Sequence, residues 1–125
     1  MATPDCTLVT GCYCLREFHE GVRSAEELLA GMSFLLSVPC RLVIFCDPSL
    51  AEPIRASRSA AGLAHWTEVI STPLTELWSF KQLAKVRANR EAYWPTRDAR
   101  TCAESHLICC NKFDFLLHVM ETNPF

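Results

Sequence analysis

The sequence predicts an α/β domain built on a small parallel, Rossmann-like sheet flanked by helices. Three observations predict it. Arg41 to Asp47 is an unbroken run of apolar and β-preferring residues that closes on a carboxylate and Pro48, the pattern of a strand buried on both faces. Strand-like runs alternate with helix-like stripes along the chain, an order that calls for parallel pairing through right-handed crossovers. With 125 residues, 50% of them hydrophobic and 21% charged, the chain holds the core of one domain, 1–125.

Taken in order, Thr7 to Tyr13 is the first strand. Gly11 breaks it, and a loop of about ten residues follows. Ser24 then opens a helix, with Glu27 three positions on completing a capping box. Ala25, Leu28, Leu29, Met32, Leu35 and Leu36 recur as one apolar stripe until Pro39 stops the helix. After the strand Arg41 to Asp47, Ser49 and Glu52 have the spacing of a second capping box. Pro53 would then conflict with the first intrahelical bond, so the helix is placed from about Glu52 to about Ala61 and Asp47 is not needed as its cap. Gly62 to His65 turn the chain into Trp66 to Ser71, the third strand.

Thr72, with Pro73 at the first helical position, opens a helix that carries Leu74, Leu77, Trp78, Lys81 and Ala84 on one side. Tyr93-Trp94-Pro95 ends it, and Thr96 to Thr101 form a polar connection. A last helix runs from about Ala103 to Glu121 and stops before Asn123-Pro124. Three strands make a small sheet with exposed edges.

The formal charge of -2 gives no global pull toward nucleic acid or anionic membranes, so nucleic acid is not an expected partner. No apolar run approaches the ~18 residues of a membrane span, and the acidic, polar start is unlike a secretory signal. A cytoplasmic protein is expected. Most of the eight cysteines (Cys12, Cys14, Cys40, Cys46, Cys109, Cys110) sit in apolar runs, where a reduced thiol acts as a small hydrophobe.

Cys102, His106 and Cys110 fall at i, i+4 and i+8, the spacing of soft zinc ligands on one helical face. No Cys-x-x-Cys accompanies them and buried thiols explain the pattern, so no metal site is assigned. Cys12 or Cys14 paired with His19, His65, His106 or His118 lacks any nucleophile signature, and no catalytic residue is assigned either. Lys81, Lys85, Arg87, Arg90, Arg97 and Arg100 read first as a solvated face. Arg97 and Arg100 lie in a connection and are the better phosphate candidates. In open α/β sheets ligands bind beyond the carboxyl ends of strands, which singles out Asp47.

Thr7 to Tyr13, Arg41 to Asp47, and above all Asn111-Lys112-Phe113-Asp114-Phe115-Leu116-Leu117 with Asn123-Pro124-Phe125 resemble the amino-terminal part of the HtrL/YibB-like proteins. Those are similar to glycosyltransferases of the GT-A type associated with lipopolysaccharide or other surface-glycan assembly. The resemblance spans nearly the whole chain through short motifs. It implies a nucleotide-sugar donor site at the ends of the first strands, with Thr10, Gly11 and Tyr13 after the first and Asp47 after the second. Gly11 lets backbone approach a ligand, Tyr13 offers a face to a base, and Asp47 accepts from a base N–H. Lys112 would be the cation nearest the diphosphate.

For an intact enzyme the resemblance also implies a glycan acceptor and a divalent cation, Mn or Mg. The Asp-x-Asp motif that holds that cation occurs nowhere in the chain, so a truncated, donor-binding half without turnover is expected. The alternative from another class is a non-catalytic, cysteine-rich α/β interaction module or remnant, with a protein partner at the open sheet edge.

Overall fold

The computed structural model of the chain describes residues 5–93 and 102–125. Three parallel strands, β1 (Thr7–Cys12), β2 (Arg41–Cys46) and β3 (Thr67–Ser71), pair in the order β1-β2-β3. The register aligns Thr7 with Arg41, Cys12 with Cys46, and Cys46 with Ser71, so the carboxyl ends of all three strands lie level. The predicted fold class is therefore present at this level: an α/β chain with a small parallel sheet. β2 is central, and Leu42 to Cys46 are buried along its length.

Side chains alternate across the sheet, and each face has its own core. On one face Cys12, Leu42, Ile44 and Cys46 pack with Leu36, Leu50, Ala51 and Ile54. These last four come from α2 (Ser33–Ser37) and α3 (Pro48–Ala60), with α1 (Ala25–Gly31) at the margin. On the other face Val43 and Phe45 pack with Tyr13, Leu15, Val22, Leu74, Leu77, Cys102 and Phe115. The helices on this side are α4 (Leu83–Tyr93), α5 (Ala103–Cys110) and α6 (Lys112–Thr122).

Several element boundaries differ from the sequence expectation, each for a local reason. β1 continues through Gly11 to Cys12 because the ladder to β2 is unbroken there. Ser24 caps α1 by accepting the Glu27 N–H at 3.2 Å, but the expected single helix divides at Met32 into α1 and α2. α3 starts at Pro48, four residues earlier than expected, and carries Pro53 within it. Pro48 takes the first helical position, where no N–H is needed, and Pro53 turns its ring to solvent while Leu50, Ala51 and Ile54 fasten the helix to β2.

The helix expected from Pro73 begins only at Leu83. Leu74–Glu76 and Trp78–Gln82 form short 3-10 turns that tuck Leu74, Leu77 and Ser79 inward and leave Trp78 exposed. The last helix breaks at buried Asn111. Its Oδ1 accepts the Ser79 N–H at 3.2 Å, while Ser79 Oγ donates to the Leu107 carbonyl at 2.9 Å, so this polar contact fixes the bend between α5 and α6. No helix among the described residues is long and apolar enough to cross a membrane.

Candidate functional site

The level strand ends form the candidate site, and Asp47 stands at its centre. The Asp47 N–H donates to the Cys12 carbonyl at 3.3 Å and the Thr72 N–H to the Cys46 carbonyl at 3.0 Å, which joins the three exits side by side. Asp47 occupies the capping position of α3, contrary to the expected later start, yet its side chain makes no capping bond. Instead Oδ2 accepts the backbone N–H of Cys14 at 2.6 Å. That charge-assisted bond ties the exit of β1 to the exit of β2 and uses one carboxylate oxygen.

The site is a desolvated place to keep a charge. Burial raises the Asp47 pKa, the Cys14 N–H opposes that, and the Glu17 charge adds to it. Burial likewise pushes the Cys12 thiol up to about 12 and the Cys46 thiol to about 11, with the Asp47 charge contributing to both. These thiols are protonated and inert at neutral pH. All eight cysteines are free, including the exposed Cys6, Cys109 and Cys110.

The other residues singled out in the sequence take different places. Tyr13 is only 5% exposed and belongs to the core beneath the site, so its ring is a wall rather than an open stacking surface. Its hydroxyl is buried with no hydrogen-bond partner among the described residues, and burial together with the Asp47 charge raises its pKa. Gly11 does allow a close approach, but the approaching group is Phe115. A Cβ at Gly11 would lie 2.8 Å from Phe115 Cε2, and that ring is itself stacked on Phe45 at 4.2 Å.

Thr10 pairs with Ile44, two positions before the strand end, on the face that carries α3. Lys112 is exposed at the start of α6, in the helix that bears Phe115. Arg97 and Arg100 lie outside the described residues. The structure thus brings Asp47 together with Tyr13 and the backbone of Cys14, with Thr10 on the α3 face of the sheet and Lys112 exposed at the first position of α6.

The remaining basic residues are partly engaged. Lys81 lies over the Trp78 ring at 4.8 Å, Arg87 pairs with buried Glu104, and Arg90 Nη1 meets His106 Nε2 at 2.8 Å. Cys102, His106 and Cys110 do not converge: Cys102 is buried at the start of α5, and Cys110 is exposed at its end. No group of three or more His, Cys, Asp or Glu among the described residues is placed to hold a metal ion.

One ionic residue escaped the sequence reading. Arg58 is fully buried, and its guanidinium reaches the Leu36, Val38, Cys40 and Trp66 carbonyls and Thr67 Oγ1. The signal was its spacing, because Leu50, Ile54 and Arg58 follow one another at four-residue steps on the buried side of α3. No protein-family model, no curated protein and no solved structure matches the chain, so the geometry of the strand ends carries the functional reading.

Proposed function

We propose that the chain is the donor-binding half of a glycosyltransferase-like domain, of the GT-A and HtrL/YibB-like kind, that holds a nucleotide sugar for transfer to a surface-glycan or lipopolysaccharide-type acceptor. The observation that supports this reading is the half-satisfied carboxylate of Asp47 at the carboxyl end of the central parallel strand. One oxygen is fixed by Cys14, which orients the other to accept an N–H from a base or a hydroxyl from a ribose. The tether makes the acceptor rigid, so little ordering cost falls on ligand capture.

In this reading Gly11 and Tyr13 shape the floor of the site instead of touching the ligand, and Lys112, Arg97 and Arg100 are the cations assigned to the diphosphate. The described residues do not fit a metal site. The contribution of this chain is positioning: it would hold the donor for chemistry completed by ligands that it does not itself supply as an Asp-x-Asp pair.

The test is a melting-temperature and calorimetric titration with UDP, GDP and CMP, each with and without manganese. One of the three nucleotides should stabilise the wild type, and Asp47→Ala should abolish that shift. If no nucleotide binds, or if Asp47→Ala binds as well as wild type, the donor reading is wrong.

A further inference from the structure

The outer edge of β3 is built differently from a merely open strand. The N–H and C=O of one strand residue point to the same side, and successive residues alternate. The Thr72 N–H goes inward to Cys46, so Glu68 and Ile70 face β2 while Thr67, Val69 and Ser71 direct their backbone groups outward. Of these, the Thr67 N–H is taken by the Ala64 carbonyl. The Val69 carbonyl is touched by Arg55 Nη2 at 3.3 Å, a long bond from a side chain that also pairs with Glu52 at 2.6 Å. The Val69 N–H and both backbone groups of Ser71 have no partner among the described residues.

Two grooves flank this edge, one on each face of the sheet, and Glu68 lines both. On the α3 side a cavity of about 300 Å³ is lined by Arg55, Ser59, Ala64, Thr67 and Val69. On the α6 side a larger one, about 520 Å³, is lined by Val43, Ile70, His118, Thr122 and Pro124. A strand added to β3 would send alternate side chains into the two grooves. The first presents a guanidinium and a hydroxyl and suits a carboxylate; in the second Val43, Ile70 and Pro124 offer contact to an aliphatic side chain, beside the polar Glu68, His118 and Thr122.

We propose that β3 accepts an extended segment of another protein, alternating acidic and aliphatic residues, as a fourth strand, with Arg55 as the selecting residue. An incoming glutamate draws the guanidinium off the Val69 carbonyl, and a backbone N–H of the same segment replaces it. Without such a segment Arg55 covers the edge and opposes indiscriminate pairing, which is how charged side chains protect sheet edges. This site lies on the flank of the sheet, apart from the strand-end site at Asp47, and is independent of donor binding.

The probes are fluorescein-labelled hexapeptides, one alternating glutamate with valine and one alternating lysine with valine, titrated by anisotropy into the full chain. The wild type should bind the glutamate peptide saturably and at least about tenfold more tightly than the lysine peptide, and Arg55→Glu should reverse that order. Val69→Pro should weaken binding by at least about tenfold, since it removes an outward N–H and leaves the ladder to β2 intact. A glutamate peptide methylated on alternate backbone nitrogens tests the same bonds without altering the protein and should not bind.

Equal binding of both peptides, no binding of either, or full binding of the methylated peptide would each overturn the proposal. So would concentration-dependent dimerisation that Val69→Pro abolishes, because the edge would then belong to a second copy.

Discussion

Asp47 occupies the capping position at the start of α3 and Arg58 lies in its last turn, and the contrast between them separates a structural ion from a candidate functional one. Arg58 is wholly buried and satisfied by four backbone carbonyls and a threonine hydroxyl, drawn from α2 and the α2–β2 connection and from the turn into β3 with its first residue, Thr67. Burial lowers its pKa, but a guanidinium remains charged in any protein interior. Asp47 is only partly buried, has one bond to one N–H, and keeps an oxygen unassigned. A group with every valence used inside the fold has nothing left to offer a ligand. A desolvated group with valence to spare has.

The sharpest way to break the comparison is to remove Arg58. Arg58→Met fills much of the same volume but leaves four carbonyls facing a thioether, at a cost of about 3–5 kcal/mol. Urea denaturation should show the midpoint collapse, and the junction of α2, β2 and β3 should lose hydrogen-exchange protection first. Arg58→Lys should recover only part of the loss, because an ammonium cannot reach so many acceptors in one plane. A variant within the error of wild type would mean that Arg58 does not anchor that junction.

Gly11 tests whether the floor of the strand-end site is set by packing. Gly11→Ala places a methyl against Phe115, whose ring cannot slide freely because it stacks on Phe45. A loss of about 1–3 kcal/mol is expected. Phe115→Leu should relieve part of it, so the double-mutant cycle should show positive coupling. Additive losses would instead point to a backbone requirement at Gly11 unrelated to α6.

The sequence made the three strands legible because each carries enough β-branched and aromatic residues to be read without its partners, and β2 was read as buried on both faces for the same reason. What it could not show were breaks imposed by tertiary contacts. Leu74 to Ala84 has helical spacing, yet Ser79 is pulled toward Asn111 and Leu107 and the segment tightens into 3-10 turns. The same contact divides the last helix at Asn111, a residue that propensity alone does not mark. At the site, Asp47 was readable from its place at a strand end. Its tether was not, because the partner is the backbone N–H of Cys14, and no residue type announces a backbone donor.

Pro53 lies on α3 between the two ions and bears on how rigidly the helix links them. In mid-helix it cannot supply the N–H that the Ser49 carbonyl would accept. Pro53→Ala should restore that bond and stabilise the chain by ~1 kcal/mol in thermal denaturation, without changing the Asp47 site. A loss of stability would show that the proline ring packs usefully or restrains the unfolded chain more than the missing bond costs.

The smallest effect discriminates best, because it concerns the sign of what Asp47 does for the fold. Its pKa is raised above the ordinary 3.8, chiefly by burial, so the folded chain holds its proton more tightly than the unfolded chain. Between 3.8 and the raised value the folded state binds more protons, and the Asp47 contribution to stability therefore falls as pH rises. Above that interval the carboxylate is a constant cost. Asp47→Asn keeps an acceptor for the Cys14 N–H and removes the charge, so at neutral pH it should be as stable as wild type or more stable, within about 1 kcal/mol. Its advantage should shrink on acidification and vanish once wild-type Asp47 is protonated, which paired denaturation curves across that range would measure. A group that weakens the fold whenever it is charged is the kind expected of a binding site, where stability yields to function. If Asp47→Asn instead lost stability at neutral pH, with the loss shrinking on acidification, Asp47 would stand beside Arg58 as a purely structural ion.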